Sequence, residues 1–160
     1  MKKLLSILSL FAAMAIGTSA LAVTADEALS FFAKYVNAAN SYSEDIVSYY
    51  APNAKIIRVV IKPDGSKVTL TTDMHEYAHQ MRLGSSLAKI NKYKNFYNNR
   101  KITKSGNDYK ITADRKASTS DYSLPSYFII GTDANGKLKI KEEMMYSKNQ
   151  KLLIGSKKKK

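Results

Sequence analysis

The stretch Ser126–Tyr146, SYFIIGTDANGKLKIKEEMMY, decides the fold. Tyr127 to Ile130 form an apolar run that meets the turn cluster Gly131-Thr132-Asp133-Ala134-Asn135-Gly136. Beyond the turn, Leu138, Ile140 and Met144 alternate with Lys139, Lys141 and Glu143, the period of two expected of a strand with one buried face. Two such runs around a glycine-containing turn predict a β-hairpin at the C-terminal end of a sheet.

Upstream of it, residues 91–118 keep the same period. Tyr93, Asn95, Tyr97 and Asn99 share one parity, and after Ser105-Gly106-Asn107-Asp108 the series resumes with Tyr109, Ile111 and Ala113, so two further strands are predicted. Before them the period changes to that of a helix. Asp73, with Glu76 three residues on, starts a helix whose stripe is Met74, Tyr77, Ala78 and Met81, ending near Gly84 or continuing towards Ile90.

Lys55 to Ile61 and Lys67 to Thr71, separated by Pro63-Asp64-Gly65, form another hairpin. Thr24-Ala25-Asp26-Glu27 is a capping box that starts a first helix carrying Leu29, Phe32, Tyr35, Val36 and Ala39 to about Asn40. Ser41 or Ser43 starts a second, shorter helix with Ile46, Val47, Tyr49 and Tyr50, which Pro52 ends.

Composition bounds the rest. Lys2-Lys3, an apolar stretch from Leu4 to Ile16, and Ala20-Leu21-Ala22 make a secretory leader, so residues 1–22 are expected to be removed and the protein to be periplasmic or secreted. Residues 23–147 then form one domain, and residues 148–160 a basic, flexible tail. There is no cysteine, so packing alone must stabilise the fold. The 26 basic and 13 acidic residues give a formal charge of +13, which loss of Lys2 and Lys3 reduces to +11. Such an excess is compatible with docking on anionic envelope surfaces, helped by Lys157 to Lys160.

The order helix, helix, hairpin, helix and then four strands resembles the nuclear-transport-factor-2-like superfamily, which includes the SnoaL-like and ketosteroid-isomerase-like proteins. The segment YVNAANSYSEDIVSYYAPNAKI (35–56) looks like that superfamily's opening, and YFIIGTDANGKLKIKEEMMY (127–146) like its closing hairpin. The resemblance implies an α+β fold in which three helices pack on a strongly curved, mostly antiparallel sheet and enclose a cone-shaped cavity. It also makes a homodimer an expectation. Fold alone does not choose an activity.

Ketosteroid-isomerase-like members use a tyrosine on the first helix, matched here by Tyr35, and an aspartate base after an A-x-x-A turn. That base position is Arg58, and no carboxylate stands around Tyr127 and Phe128. A guanidinium cannot accept a substrate proton, so isomerase chemistry of this kind is not expected. His75-Glu76-Tyr77-Ala78-His79 spells H-E-x-x-H, the zinc-hydrolase spacing. Zinc needs a third protein ligand, these are the chain's two histidines, and helical geometry puts both on the flank of the packed stripe. No metal and no cofactor is therefore assigned, with His75 and His79 named as the residues a metal would use.

Lys92, Lys94, Arg100 and Lys101 interleave with Tyr93, Phe96 and Tyr97 in a composition that suits single-stranded nucleic acid, but an exported protein is not expected to meet that partner. The expectation is an exported cavity protein, a non-catalytic binding module for a small amphipathic ligand or a protein partner. Tyr35, Arg58, Tyr97 and Tyr127 are its candidate cavity residues. The alternative is an enzyme using the same cavity, a hydrolase or lyase, with the zinc case through His75 and His79.

Overall fold

Helix α1 (Ala25–Asn40) begins at the predicted capping box: the Thr24 hydroxyl accepts the Glu27 N–H at 3.2 Å, and the Glu27 carboxylate accepts the Thr24 N–H at 2.8 Å. The computed structural model from which these distances come describes residues 22–156. The leader up to Leu21 and Lys157 to Lys160 lie outside the described residues. A short 3-10 helix (Glu44–Tyr49), capped by Ser43, follows α1. Strand β1 (Tyr50–Ile61) then starts earlier than the sequence predicts, with Tyr50 and Pro52 inside it instead of closing a helix. Pro52 is tolerated because it sits near the strand's start, where a missing N–H costs least.

Strand β2 (Lys67–Thr72), helix α2 (Met74–Ile90), and strands β3 (Asn95–Ser105), β4 (Asp108–Ala117), β5 (Leu124–Thr132) and β6 (Leu138–Ser147) complete the domain. Within the segment read as a tail, Lys151–Ser156 form a short helix, α3. The Gln150 amide anchors it by donating to the Ile61 carbonyl at 2.8 Å.

The strands form one six-stranded sheet in the order β2-β1-β6-β5-β4-β3. All neighbours are antiparallel except β1 and β6, which run parallel. The sheet is curled and open, and its inner face takes α1. Phe32 of α1 stands 4.8 Å, centroid to centroid, from Phe128 of β5 and 5.4 Å from Tyr97 of β3. At its far end α1 is tied down by Asn40, whose side chain exchanges two 2.9 Å hydrogen bonds with the backbone of Asn95.

The closing turn is held by Asp133, whose carboxylate accepts the N–H groups of Asn135 and Lys137, each at 2.9 Å. Gly136 adopts φ +75°, a backbone conformation that glycine enters without steric cost.

The hairpin departs from strict alternation at one point, and the site depends on it. Ile130 pairs with Ile140 but Ile129 pairs with Glu142, so β6 carries one extra residue, Lys141. Beyond that bulge the phase reverses. Ile140, Glu143 and Met145 are buried, whereas Met144, expected inside, is partly exposed on the other face, and Glu143, expected outside, is fully buried. The Lys141 ammonium reaches the Asp108 carboxylate at 2.8 Å, across the space that a side chain at Gly131 would fill.

Candidate functional site

Register places one row of side chains across the inner face: Ile102 of β3, Ile111 of β4, Phe128 of β5, Glu143 of β6 and Ile56 of β1. A carboxylate thus sits in an otherwise apolar row. Next along stand Ser126, Met145 and Arg58, and beyond them Tyr97 opposite Arg115. The acid missing around Tyr127 and Phe128 is therefore supplied by the neighbouring strand, directly opposite Phe128.

Glu143 is 0% exposed, and burying an ionised carboxylate without partners would be prohibitive. Its partners converge from three elements. On one oxygen, Oε1, it takes the Arg58 guanidinium, in a buried ion pair, and the Tyr77 hydroxyl of α2 at 3.3 Å. On the other, Oε2, it takes the Tyr50 hydroxyl in a short hydrogen bond and the Tyr35 hydroxyl at 3.3 Å.

Tyr35 and Tyr50 also stand 2.7 Å apart, oxygen to oxygen. Each phenol has one proton, so the tighter chain is Tyr35 donating to Tyr50 and Tyr50 donating to Glu143. Tyr77 likewise accepts from Arg58 at 3.0 Å while donating to Glu143.

The electrostatics follow from burial. Burial, then the Glu143 charge, pushes the Tyr77 phenol up to about 12 and holds those of Tyr35, Tyr50 and Tyr97 well above the ordinary tyrosine value. For Arg58, burial works against the cation, but the Glu143 carboxylate more than offsets it and the guanidinium stays charged. At neutral pH the four phenols are neutral donors. The Glu143 carboxylate is taken up by hydrogen bonds from the arginine and the tyrosines.

Beside the network lies a cavity of about 260 Å³, lined by Tyr35, Arg58, Tyr77, Tyr97 and Arg115 among others, with Leu152 of α3 completing the wall. Its lining contains two arginines and no carboxylate. Arg58 is neutralised by Glu143, whereas Arg115 has neutral partners. It donates to the Asn95 side chain at 2.8 Å, to Tyr93 at 3.4 Å and to the Tyr146 carbonyl at 3.1 Å. Its buried Nε has no hydrogen-bond partner among the described residues.

Three of the four residues singled out from sequence, Tyr35, Arg58 and Tyr97, meet in this cavity. Tyr127 does not join them. It points to the outer face, where it donates to Glu142 at 2.5 Å and lines a separate cleft of about 590 Å³ with Asn99, Arg100 and Lys101. His75 and His79 are both exposed on α2, and among the described residues no group of three acidic or histidine side chains could hold a metal ion. Glu76 accepts Gln80 at 3.1 Å, and its backbone N–H is capped by Asp73 at 2.8 Å.

Sequence reasoning missed Glu143, Tyr50, Tyr77 and Arg115. Arg115 was within reach, because it continues the inward series Ile111, Ala113 and Ala117 at a spacing of two. Glu143 was hidden by the bulge.

The same architecture recurs in solved structures. An NTF2-like protein of unknown function from Pseudomonas putida superposes with a TM-score of 0.60 at 8% identity, covering 76% of this chain and 84% of that one. An NTF2-like protein with a cystatin-like fold from Novosphingobium aromaticivorans gives 0.56 at 10% identity, with 78% and 82% covered. A candidate ketosteroid isomerase from Shewanella frigidimarina gives 0.52 at 20% identity, with 74% and 93% covered. No family model matches the sequence, and no curated protein matches it significantly. The chain has the nuclear-transport-factor-2-like fold, the α+β cone that its opening and closing segments resemble.

Proposed function

We propose that the protein is an exported, non-catalytic binding module whose cavity takes a small amphipathic ligand by an anionic end. The observation that carries this reading is Arg115, a charged guanidinium with only neutral partners, set in a tyrosine-lined cavity whose one adjoining carboxylate is already paired. The aromatic walls supply apolar area, and the guanidinium offers the planar donor geometry that carboxylates match. An enzyme in the same cavity finds less support, because Glu143 is saturated and the phenols hold their protons.

Calorimetry with a panel of aromatic and medium-chain carboxylates, each beside its corresponding alcohol, tests the reading. The acids are expected to bind more tightly than the alcohols, and Arg115→Met to erase that preference while Arg115→Lys keeps part of it. Equal affinities in the wild type, or no binding by any member, would sink it. Turnover of any bound ligand would move the protein to the enzyme class. The export component rests on Lys2-Lys3, the apolar stretch and Ala20-Leu21-Ala22. It is tested by N-terminal sequencing of the protein recovered from the cell envelope, which should begin at Val23.

A further inference from the structure

Helix α2 has two apolar faces. Met74, Tyr77, Ala78 and Met81 turn towards β1 and the core, with Met74 and Ala78 buried. Leu83, Leu87 and Ile90, at intervals of four and three residues, form a second stripe that a helical wheel puts opposite the first. These three side chains are 69%, 62% and 75% exposed. Single exposed leucines are ordinary, but three on one helical line are a surface feature that needs an occupant.

The charges around the stripe select it. No aspartate or glutamate occurs between Glu76 and Asp108, an interval that holds Arg82, Lys89, Lys92, Lys94, Arg100, Lys101 and Lys104. Arg82 and Lys89 lie on the same flank of α2, and Lys92 and Lys94 follow in the turn that leaves it; all four are exposed. Among the described residues, Glu44 lines a cleft with α2, beside Arg82 and Ser85, towards the helix's middle.

We infer that the second half of α2 is a docking face for an anionic lipid surface, with Leu83, Leu87 and Ile90 entering the headgroup boundary and Arg82, Lys89, Lys92 and Lys94 lying among the headgroups. An apolar stripe bordered by cations is the pattern of helices that lie in a membrane interface. A second copy of the chain is the weaker occupant. A two-fold contact would bring the same cationic flanks together, and like charges juxtaposed across an interface are costly.

The chain contains no tryptophan, so one placed in the stripe reports on that site alone. The experiment uses Leu87→Trp, with Tyr109→Trp, at the end of β4 farthest from the turn that leaves α2, as the second reporter. Each is titrated with vesicles of mixed phosphatidylglycerol and phosphatidylcholine and with vesicles of phosphatidylcholine alone. The expected result is a blue shift of the Leu87→Trp emission on the mixed vesicles, quenched by brominated lipid chains. It should be absent on neutral vesicles, lost at high salt and lost when Leu83→Asp and Ile90→Asp are added. The Tyr109→Trp emission should not move.

No shift for Leu87→Trp overturns the inference, even if another part of the chain brings the protein to the vesicle. An equal shift on neutral vesicles overturns the anionic selectivity. A shift without vesicles that grows with protein concentration overturns it in favour of self-association.

Discussion

Replacing Arg58 by methionine isolates what the buried ion pair contributes. The Glu143 side chain is 0% exposed and that of Arg58 16%, so the two halves of the pair are not equivalent. Removing the arginine strands a charge that no water reaches, and breaking a buried pair in this way costs about 3–5 kcal/mol. Tyr35, Tyr50 and Tyr77 remain to hydrogen-bond the carboxylate, which puts the cost near the low end, about 3 kcal/mol. At about 4 °C per kcal/mol for a domain of this length, the melting temperature should fall by about 12 °C.

Glu143→Gln should cost less than Arg58→Met, because the stranded arginine keeps some contact with solvent and the amide oxygen still accepts from the phenols. The double variant Arg58→Met/Glu143→Gln should recover at least about 1.5 kcal/mol relative to the sum of the single losses. Urea unfolding of the four proteins, fitted with a common slope, measures each quantity. A double variant whose loss equals the sum of the two single losses, or an Arg58→Met loss below about 1 kcal/mol, would refute the account of the network.

Tyr50→Phe should cost about 1.5–3 kcal/mol in the same assay and Tyr35→Phe about 1 kcal/mol, because the first phenol bonds the carboxylate closely and the second mainly bonds the first; the reverse order would contradict the proton chain assigned above. Alkaline titration followed at 295 nm should show buried phenols that stay protonated well above pH 10. The phenol of Tyr77, at about 12, and those of Tyr35, Tyr50 and Tyr97, held well above the ordinary tyrosine value, exceed the unfolded value of about 10, so above pH 10 the folded state binds more protons. That stabilisation is complete below about pH 10 and is lost as the pH rises through 12; reversible ionisation of all tyrosines near pH 10 in the folded protein would count against it. His75→Ala and His79→Ala should each change stability by less than about 0.5 kcal/mol, since both side chains are exposed, and a larger loss measured by urea unfolding would show a role that the exposed geometry does not explain.

What was legible in the sequence was what repeats. Helix caps at Thr24 and Asp73, apolar stripes at helical spacing and turn clusters before paired strands are local signals, and each led to the right element in the right order. The inward placing of Tyr35 was also within reach, because it stands in the apolar stripe of α1, whereas the neighbours of Arg58 and Tyr97 do not mark one face of their strands. Other features depend on pairings that no single segment contains. Pro52 reads locally as a helix stop, yet it lies in a strand, in the stretch between Tyr50 and Lys55 where the pairing of β1 with β6 is interrupted and needs no N–H from it. Tyr127 follows the same alternation as Phe128, and only the register decides which of the two faces α1. Glu143 was assigned to the wrong face by strict period two, because one extra residue in β6 opposite Ile129 and Ile130 is a property of two strands together.

That extra residue also makes β6 tolerant of a change in length. Deleting Lys141 would straighten the strand while leaving Ile140, Glu143 and Met145 facing α1, since the bulge is the one place where two neighbours point the same way. A deletion elsewhere in β6 would instead turn the residues on one side of it to the opposite face. Distant relatives of this fold that differ by one residue here can therefore share an interior. An alignment that puts its gap elsewhere in β6 would compare residues from opposite faces.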